Sequence, residues 1–253
     1  MLIDLKEDVN KAADPEKGKF LMRFFKTGVG QYGENDVFYG LTVPQSRVLA
    51  LKYKDLSLQD IEKLLQSKVH EERLIALLVL VHAFNKGDEK ARREIYDFYL
   101  AHTKYINNWD LVDLSADKIV GEYVLRVSGV SRALLVKLAQ SENLWERRIS
   151  IVATYTFIKN GEYADTFKIA DILLDGPSAS SGRRVAPHDL IQKAVGWMLR
   201  EVGKRISEEK LEEFLQTRYK TMPRTMLRYA IERFSEEKRR KYLKGEIYST
   251  SNR

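Results

Sequence analysis

Cysteine is absent from the 253-residue sequence, and this absence limits the chemistry that the protein can carry. Without thiols there can be no disulfide, no iron–sulfur cluster and no zinc site with thiolate ligands. The histidines do not compensate, because none of the four stands at metal-ligand spacing: His70, His82, His102 and His188. We therefore predict no metal site.

Common enzyme motifs and membrane segments are missing as well. The sequence has no Walker loop, no nucleophile elbow and no H-E-x-x-H motif. Its best apolar run, "LIALLVLVHAF", is too short to cross a membrane. The opening "MLIDLKEDVNKAADPEKGK" is charged early and lacks the apolar core of a signal peptide. We expect a soluble, cytoplasmic protein with no membrane partner, and we expect it to be a monomer.

Basic residues exceed acidic ones in a chain that otherwise has an ordinary globular composition. Lysine and arginine number 43 against 36 acidic residues, which gives a formal net charge of +7. The sequence pI is about 9.3. This balance permits a nucleic acid or an anionic membrane as partner, and it carries no information about the fold.

Helix start signals recur along most of the chain. Ser57, Ser207 and Ser235 each precede a charged turn and an apolar pattern of helical spacing, which is typical of N-caps. Pro44 and Pro223 fit first-turn positions. Only "NDVFYGLTV" suggests extended chain. We predict an all-α protein of short helices in a single domain over residues 1–253, with a flexible tail at 246–253.

Several of the predicted helices resemble one another. Anchored on Arg73, Asp110, Arg148, Lys193 and Arg224, they are separated by about 37, 38, 45 and 31 residues, near the period of HEAT-type helical pairs. Charged residues at matching repeat positions would then line a concave surface. Such a row includes Arg73, Arg147, Arg148, Lys193 and Arg200. The alternative is a basic surface without order, but repetition at helix starts favours a basic groove.

Two glycine-containing segments interrupt the helical pattern. Gly28 to Gly33 form a literal G-x-G-x-x-G, but a helical pattern precedes them, so we reject a dinucleotide site. Residues 175–189, "DGPSASSGRRVAPHD", are either a solvated linker or a basic flap whose Arg183 and Arg184 meet phosphates. His188, at the end of this segment, could touch phosphate or cap the next helix.

An aromatic and acidic pair stands out in "NNWDLVDLSAD", residues 107–117. Trp109 and Asp113 are one helical turn apart and share a face. On this stretch alone, a simple helix start with an acidic first turn and a partly buried indole is the favoured interpretation. Trp197, like Trp109, opens onto a polar helix face. Aromatic rings and a partly desolvated carboxylate attract cations, so a basic groove with such a patch suits a polyanion bearing a local positive charge, as in alkylated DNA.

Four segments in this order resemble the AlkD-like DNA alkylation repair enzymes, over roughly residues 12–240. They are "FYGLTVPQSR", "NNWDLVD", "LWERRISIVA" and "HDLIQKAVGWMLRE". The resemblance implies an all-α, right-handed α-α superhelix (solenoid) of HEAT-like repeats with a basic concave groove. It also implies a DNA glycosylase that removes N3- or N7-alkylated bases from double-stranded DNA without cofactor or metal.

The same resemblance implies roles for individual residues. Trp109 and Trp197 would flank the lesion nucleotide, and Asp113 would lie beside the sugar as the catalytic carboxylate. Arg148 and Arg47 would contact phosphates. Beyond the resemblance, the charge pattern adds further candidate phosphate ligands: Arg147, Lys193, Arg183 and Arg184. Asp110, turned about 100° from Trp109 along a helix, is assigned a structural role.

Two other functions compete with base removal. A non-catalytic relative that binds damaged, bent or branched DNA would share the basic groove. A HEAT-type protein-binding scaffold would need an apolar or mixed concave face, and it would leave the pairing of Trp109 with Asp113 unexplained.

Overall fold

The computed structural model describes residues 1–127, 132–175 and 187–247, and these residues are helical with turns and loops between the helices. The predicted all-α class is confirmed, and the fold is consistent with helical repeats. The segment that suggested extended chain forms only an isolated parallel bridge between Val37 and Val69. The right-handed superhelix and its concave groove stay predictions.

The chain divides into two compact units, residues 1–123 and 124–253. The helices of the first unit are α1 (Leu2–Lys11), α2 (Pro15–Phe25), α3 (Val43–Lys52), α4 (Leu58–Leu65), α5 (His70–Lys86), α6 (Glu89–Ala101) and α7 (Trp109–Asp113). A 3₁₀ turn (Thr103–Tyr105) precedes α7, and a π-helical turn (Asp117–Gly121) follows it. Helices α3, α4 and α6 pack on α5.

The boundary between the units falls within α8 (Glu122–Arg126). The helices after it are α9 (Ala133–Ala139), α10 (Leu144–Lys159), α11 (Ala164–Asp175), α12 (Asp189–Arg205), α13 (Glu208–Gln216), α14 (Arg224–Ala230) and α15 (Glu236–Lys244). Helix α10 packs on α9, α11 and α12, and α12 packs on α13 and α14. The single-domain prediction stays a prediction, and the predicted tail lies mostly outside the described residues.

The predicted helix caps are confirmed. The hydroxyl oxygens of Ser57, Ser207 and Ser235 each accept the backbone N–H three residues later, and so satisfy one free donor of the first turn. Pro44 lies in the first turn of α3 as predicted. Pro223 stands one residue earlier than predicted, as the N-cap of α14, because that helix begins at Arg224.

Two long helices begin with the same hydrogen-bond pattern. In "SKVHEER", Arg73 Nη1 donates to the carbonyl of Ser67 at 2.8 Å, and the Ser67 hydroxyl accepts the N–H of Val69. In "SENLWER", Arg147 Nη1 donates to the carbonyl of Ser141 at 2.6 Å, and the Ser141 hydroxyl accepts the N–H two residues later. These two helix starts therefore share a local structure in which Arg147, rather than Arg148, corresponds to Arg73, and the HEAT-like repeat itself stays a prediction.

Helices α5 and α10 supply much of the buried surface of their units. Nearly every side chain of α5 from His70 to Val81 is buried, charged ones included, and α10 is buried from Arg148 to Thr154. Burying one large aliphatic side chain stabilises the fold by about 1.5–3 kcal/mol. The charged groups that accompany them need partners, and those partners define the site described below.

No helix in the described ranges has the length and apolarity required to span a bilayer. In the same ranges, no cluster of three or more histidine or acidic side chains has an arrangement able to hold a metal ion.

Candidate nucleic-acid interface

Helix α7 carries the predicted pair of Trp109 and Asp113 on its more exposed side. Asn108 is the N-cap, and its Oδ1 accepts the N–H of Trp109 at 2.9 Å. Leu111 and Val112 are fully buried and anchor the helix. Trp109 and Asp113 are both half-buried. The simple helix-start interpretation is thus correct, and it is compatible with a site because both side chains keep part of their surface in solvent.

Aromatic rings cover one side of the Trp109 indole. The Phe25 ring, from the end of α2, stacks on the indole with centroids 5.1 Å apart and planes within 11° of parallel. Phe25 also contacts Phe38 at 4.6 Å and His70 at 4.8 Å. The indole is therefore supported from the interior by a buried aromatic cluster, which restricts its orientation.

A buried ionic network lies next to this cluster. His70 Nε2 is 2.8 Å from Asp110 Oδ2, and His70 Nδ1 is 3.6 Å from Asp36 Oδ2. Arg73 Nη2 pairs with the same Asp36 oxygen at 2.7 Å. Asn108 Nδ2 donates to it as well, at 3.2 Å. The network joins the loop before α3, the start of α5 and the start of α7.

The charges in this network shift one another's protonation. Burial opposes protonation of His70, but the charge of Asp110 and hydrogen bonds to Asp110 and Asp36 outweigh it and raise the pKa of His70 to about 9. Burial alone would raise the pKa of Asp36, yet His70 and Arg73 hold that pKa below its ordinary value. At neutral pH His70 is therefore an imidazolium between two carboxylates.

In the second unit Trp197 lies on α12, half-buried, beside Tyr155 of α10 at a centroid distance of 5.9 Å. Arg205 donates to the Tyr155 hydroxyl at 2.7 Å and lies over its ring at 5.2 Å. The Lys159 ammonium lies 5.0 Å from the same ring. Two cationic side chains therefore contact the Tyr155 ring, which lies beside Trp197.

The adjacent arginines of α10 differ in their surroundings. Arg148 is only 5 % exposed, and its Nη1 donates to the carbonyl of Leu190 at the start of α12. This burial weighs against the direct phosphate contact predicted for Arg148 and indicates a role in joining α10 to α12. Arg147 is half-buried, and burial lowers its pKa despite the neighbouring Glu142.

The remaining predicted contacts fall in different places. Arg47 is exposed on α3 in the first unit. Lys193 is half-exposed on α12 in the second, with its Nζ 2.7 Å from Asp189. Arg183 and Arg184 lie outside the described residues. His188 caps the next helix, one of its two predicted roles: it is the N-cap of α12, and its Nδ1 accepts the N–H of Leu190 at 3.1 Å.

Other members of the predicted basic row do not face solvent as free cations. Arg73 is buried against Asp36. Arg200 pairs with Glu201 and Glu232. Repetition of charge at helix starts thus reflects internal hydrogen bonding at least as much as a surface for ligand.

Sequence reasoning missed His70 and Asp36. Their signal was present: "HEER" opens a helix that is otherwise strongly apolar, and buried charges require partners. The partner, Asp36, could not be found because it lies 34 positions upstream, in the segment "NDVFYGLTV", and a hint of extended chain does not indicate which helix that segment contacts. The chain that follows α2 is a series of turns, which agrees with rejecting the G-x-G-x-x-G as a dinucleotide site.

These observations define a class of protein. It is helical, it carries an aromatic and an acidic side chain on one helix face, and it has an excess of basic side chains. A family model described as DNA alkylation repair enzyme matches residues 5–234. The chain belongs to this DNA alkylation repair enzyme family. A comparison with curated proteins finds no significant match. Family membership places the protein in the repair of alkylated DNA, as an enzyme that binds DNA.

Proposed function

We propose that the protein is a DNA glycosylase that removes cationic N3- or N7-alkylated purines from duplex DNA, without metal or cofactor. The observation that carries the proposal is the face of α7. Trp109 and Asp113 keep part of their surface in solvent one turn apart, while Asn108, Asp110, Leu111 and Val112 between and beside them are buried. Such an arrangement offers a fixed carboxylate and a fixed ring to a ligand.

The chemistry requires one carboxylate. Alkylation at a ring nitrogen makes the purine cationic, so the glycosidic bond breaks with its electron pair moving to the base, which leaves neutral. Positive charge then builds on the deoxyribose, and Asp113 stabilises it. Water adds at C1′ and passes its proton to the carboxylate and on to solvent. No general acid is needed, because the leaving group is already activated.

The other predicted residues hold the DNA. Trp109 and Trp197 contact the sugar and base of the lesion nucleotide, and Arg47, Arg147 and Lys193 contact phosphates. Arg183 and Arg184 add phosphate contacts from the 175–189 segment. Phosphate contacts fix the register of the protein on the duplex without reading its sequence, so binding is sequence-independent and salt-dependent. The protein acts as a monomer.

Release of 7-methylguanine from a methylated duplex tests the proposal. We expect Asp113→Asn to lose base release by at least about 100-fold, in the range found when a group that stabilises developing charge is removed. Its affinity for the duplex should stay close to that of the wild type, because the amide keeps the shape of the side chain. Asp97→Asn is the control, since Asp97 is an exposed carboxylate on α6 paired only at 3.7 Å with Arg93.

Base release by Asp113→Asn at the wild-type rate would reject Asp113 as the catalytic carboxylate. Tight duplex binding by a wild-type protein that releases no base would instead support the non-catalytic alternative. A protein that binds neither methylated nor unmodified duplex at low salt would point to the protein-binding scaffold.

A further inference from the structure

The ionic network under α7 is balanced only when His70 is protonated. Asp36, His70, Arg73 and Asp110 are all less than one-tenth exposed. The two carboxylates then face two cations. A neutral imidazole would leave an uncompensated negative charge in the interior, where solvent cannot offset it.

The network fixes the backbone on both sides of Trp109. On one side, Asn108 donates to Asp36 at 3.2 Å while it caps α7 through the N–H of Trp109 at 2.9 Å. On the other side, Asp110 binds His70 through Oδ2 at 2.8 Å and accepts the N–H of Leu111 through Oδ1 at 2.9 Å. The start of this short helix is therefore held mainly by buried side chains that are distant in sequence.

Ring contacts connect the imidazole to the indole a second time. Phe38 stacks on His70 at 4.6 Å, and Phe25 touches His70 at 4.8 Å and Trp109 at 5.1 Å. A displacement of the imidazole would thus reach Trp109 through Phe25 as well as through Asp110.

We infer that His70 is a positioning residue: its imidazolium, held between Asp36 and Asp110, keeps the start of α7 in the arrangement in which Trp109 and Asp113 act. The inference rests on the proposed function for its effect on base removal. The structural link from His70 to Trp109 is independent of that function. Loss of the proton from His70 at alkaline pH would then disturb this arrangement.

The direction of the pH effect follows from the shifted protonation. An unperturbed histidine has a pKa of about 6.5, whereas the carboxylates raise the pKa of His70 to about 9 in the folded protein. The stabilisation is complete below the unfolded value and is lost as pH rises through about 9. The groups facing the imidazole are Asp36, Asp110 and Arg73.

The indole N–H resonances of the three tryptophans in ¹⁵N-labelled protein provide a readout of position. The Trp109 resonance is assigned by its loss in Trp109→Phe. We expect it to shift between pH 7 and 10 with a midpoint near 9, the value to which the pKa of His70 is raised. Single-turnover release of 7-methylguanine should fall over the same range by about tenfold or more beyond the fall seen in His70→Gln, because a misplacement of about 1 Å can cost about 100-fold.

His70→Gln tests the assignment, because the amide can still donate to Asp110 but carries no charge. We expect slower base release at pH 7, a Trp109 resonance that no longer titrates, and a smaller alkaline decline, which then reflects only the loss of the N1 proton, and with it the positive charge, from the alkylated guanine. His102→Gln is the matched control. His102 also stacks on a phenylalanine and lies 3.3 Å from a glutamate, Glu62, but it stands at the end of α6. This variant should keep the wild-type profile.

A Trp109 resonance that stays constant with pH in the wild type, or titrates equally in His70→Gln, overturns the inference. If circular dichroism shows that His70→Gln does not fold, the pH titration of the Trp109 resonance is compared between the wild type and Asp110→Asn. In Asp110→Asn the midpoint of that titration should fall by at least one pH unit, because the charge of Asp110 is the main factor that raises the pKa of His70. A titrating Trp109 in a protein that releases no base would support the structural link and reject the proposed function.

Discussion

The Glu71 carboxylate has a structural role that its neighbour His70 does not share. Glu71 is 2 % exposed, and its oxygens accept the backbone N–H groups of Tyr39, Gly40 and Leu41 at 3.1, 2.7 and 3.2 Å. Gly40 adopts a φ of +88°, and a Cβ there would lie 2.2 Å from the carbonyl oxygen of Asp14. The carboxylate therefore holds a turn that only glycine can make, between α2 and α3.

Glu71→Gln should lower the free energy of unfolding by about 2 kcal/mol. The amide offers one acceptor oxygen where the carboxylate offers two, so at least one buried N–H loses a charge-assisted partner. Urea denaturation at pH 7 measures the difference. Glu16→Gln, at a glutamate side chain that is 86% exposed, should change stability by less than about 0.5 kcal/mol. Equal stability of both variants would show that the turn does not depend on Glu71.

Local signals made Trp109, Asp113 and the serine caps predictable. A cap and the helix that it starts are adjacent in sequence, and a pair one turn apart needs only the helix period. The interior partners were not predictable, since Asp36 and Asp110 meet His70 only after the helices pack. Adjacent Arg147 and Arg148 show the same limit: the sequence marks both as charged, and only packing decides that Arg148 is interior.

At the scale of helices, Gly196 sets the approach of α12 and α14. A Cβ at this position would lie 2.5 Å from the carbonyl oxygen of Met226 and 2.5 Å from Cβ of Tyr229, so any larger residue would force the helices apart. Gly203, on the same helix, would instead meet the Leu211 Cδ2 methyl at 2.7 Å, and that side chain can turn aside. The two glycines therefore differ: the packing of α12 against α14 requires a glycine at position 196, whereas position 203 can accept a larger residue.

We expect Gly196→Ala to be less stable than the wild type and Gly203→Ala to be at least as stable. Both gain about 1 kcal/mol of helix propensity. In Gly196→Ala this gain is outweighed by overpacking against backbone, typically about 1–3 kcal/mol, which gives a net loss. Gly203→Ala should be neutral or more stable. Thermal unfolding of the two variants measures the difference, and similar melting temperatures would contradict the assigned roles. Base release should fall only in Gly196→Ala, since Trp197 is the next residue.

The helical period and the caps predicted the all-α class and the main helix starts. They did not predict which helices would be buried on all sides. Helix α5 has apolar and charged residues around its whole circumference, and the sequence indicates this only as an apolar run. The anchor chosen at α10 was one residue off, because Arg147 and Arg148 are alike in sequence, and only the structure shows that Arg147 makes the hydrogen bond corresponding to that of Arg73 while Arg148 is buried.

For the whole molecule, the proposed contacts between basic side chains and phosphates predict that binding to duplex DNA weakens steeply with salt, and the excess of seven positive charges agrees with this expectation. Each phosphate contact contributes about 0.9 to the slope of log K against log salt. Net charge alone does not identify the contacts. Arg47, which is exposed, and Arg148, which is buried on the Leu190 carbonyl, are the two predicted phosphate ligands whose surroundings differ most.

Arg47→Ala should reduce the salt slope by about 0.9, because one phosphate contact is removed. Arg148→Ala should leave the slope unchanged and lower the unfolding free energy by about 1–3 kcal/mol, since a buried carbonyl loses its charged donor. Fluorescence anisotropy with an unmodified duplex at four or more salt concentrations gives the slopes. A slope reduced by Arg148→Ala in a protein of wild-type stability would restore Arg148 as a direct phosphate ligand. It would also mean that its guanidinium leaves Leu190 when DNA binds, so that the contact between α10 and α12 differs between the free and the bound protein.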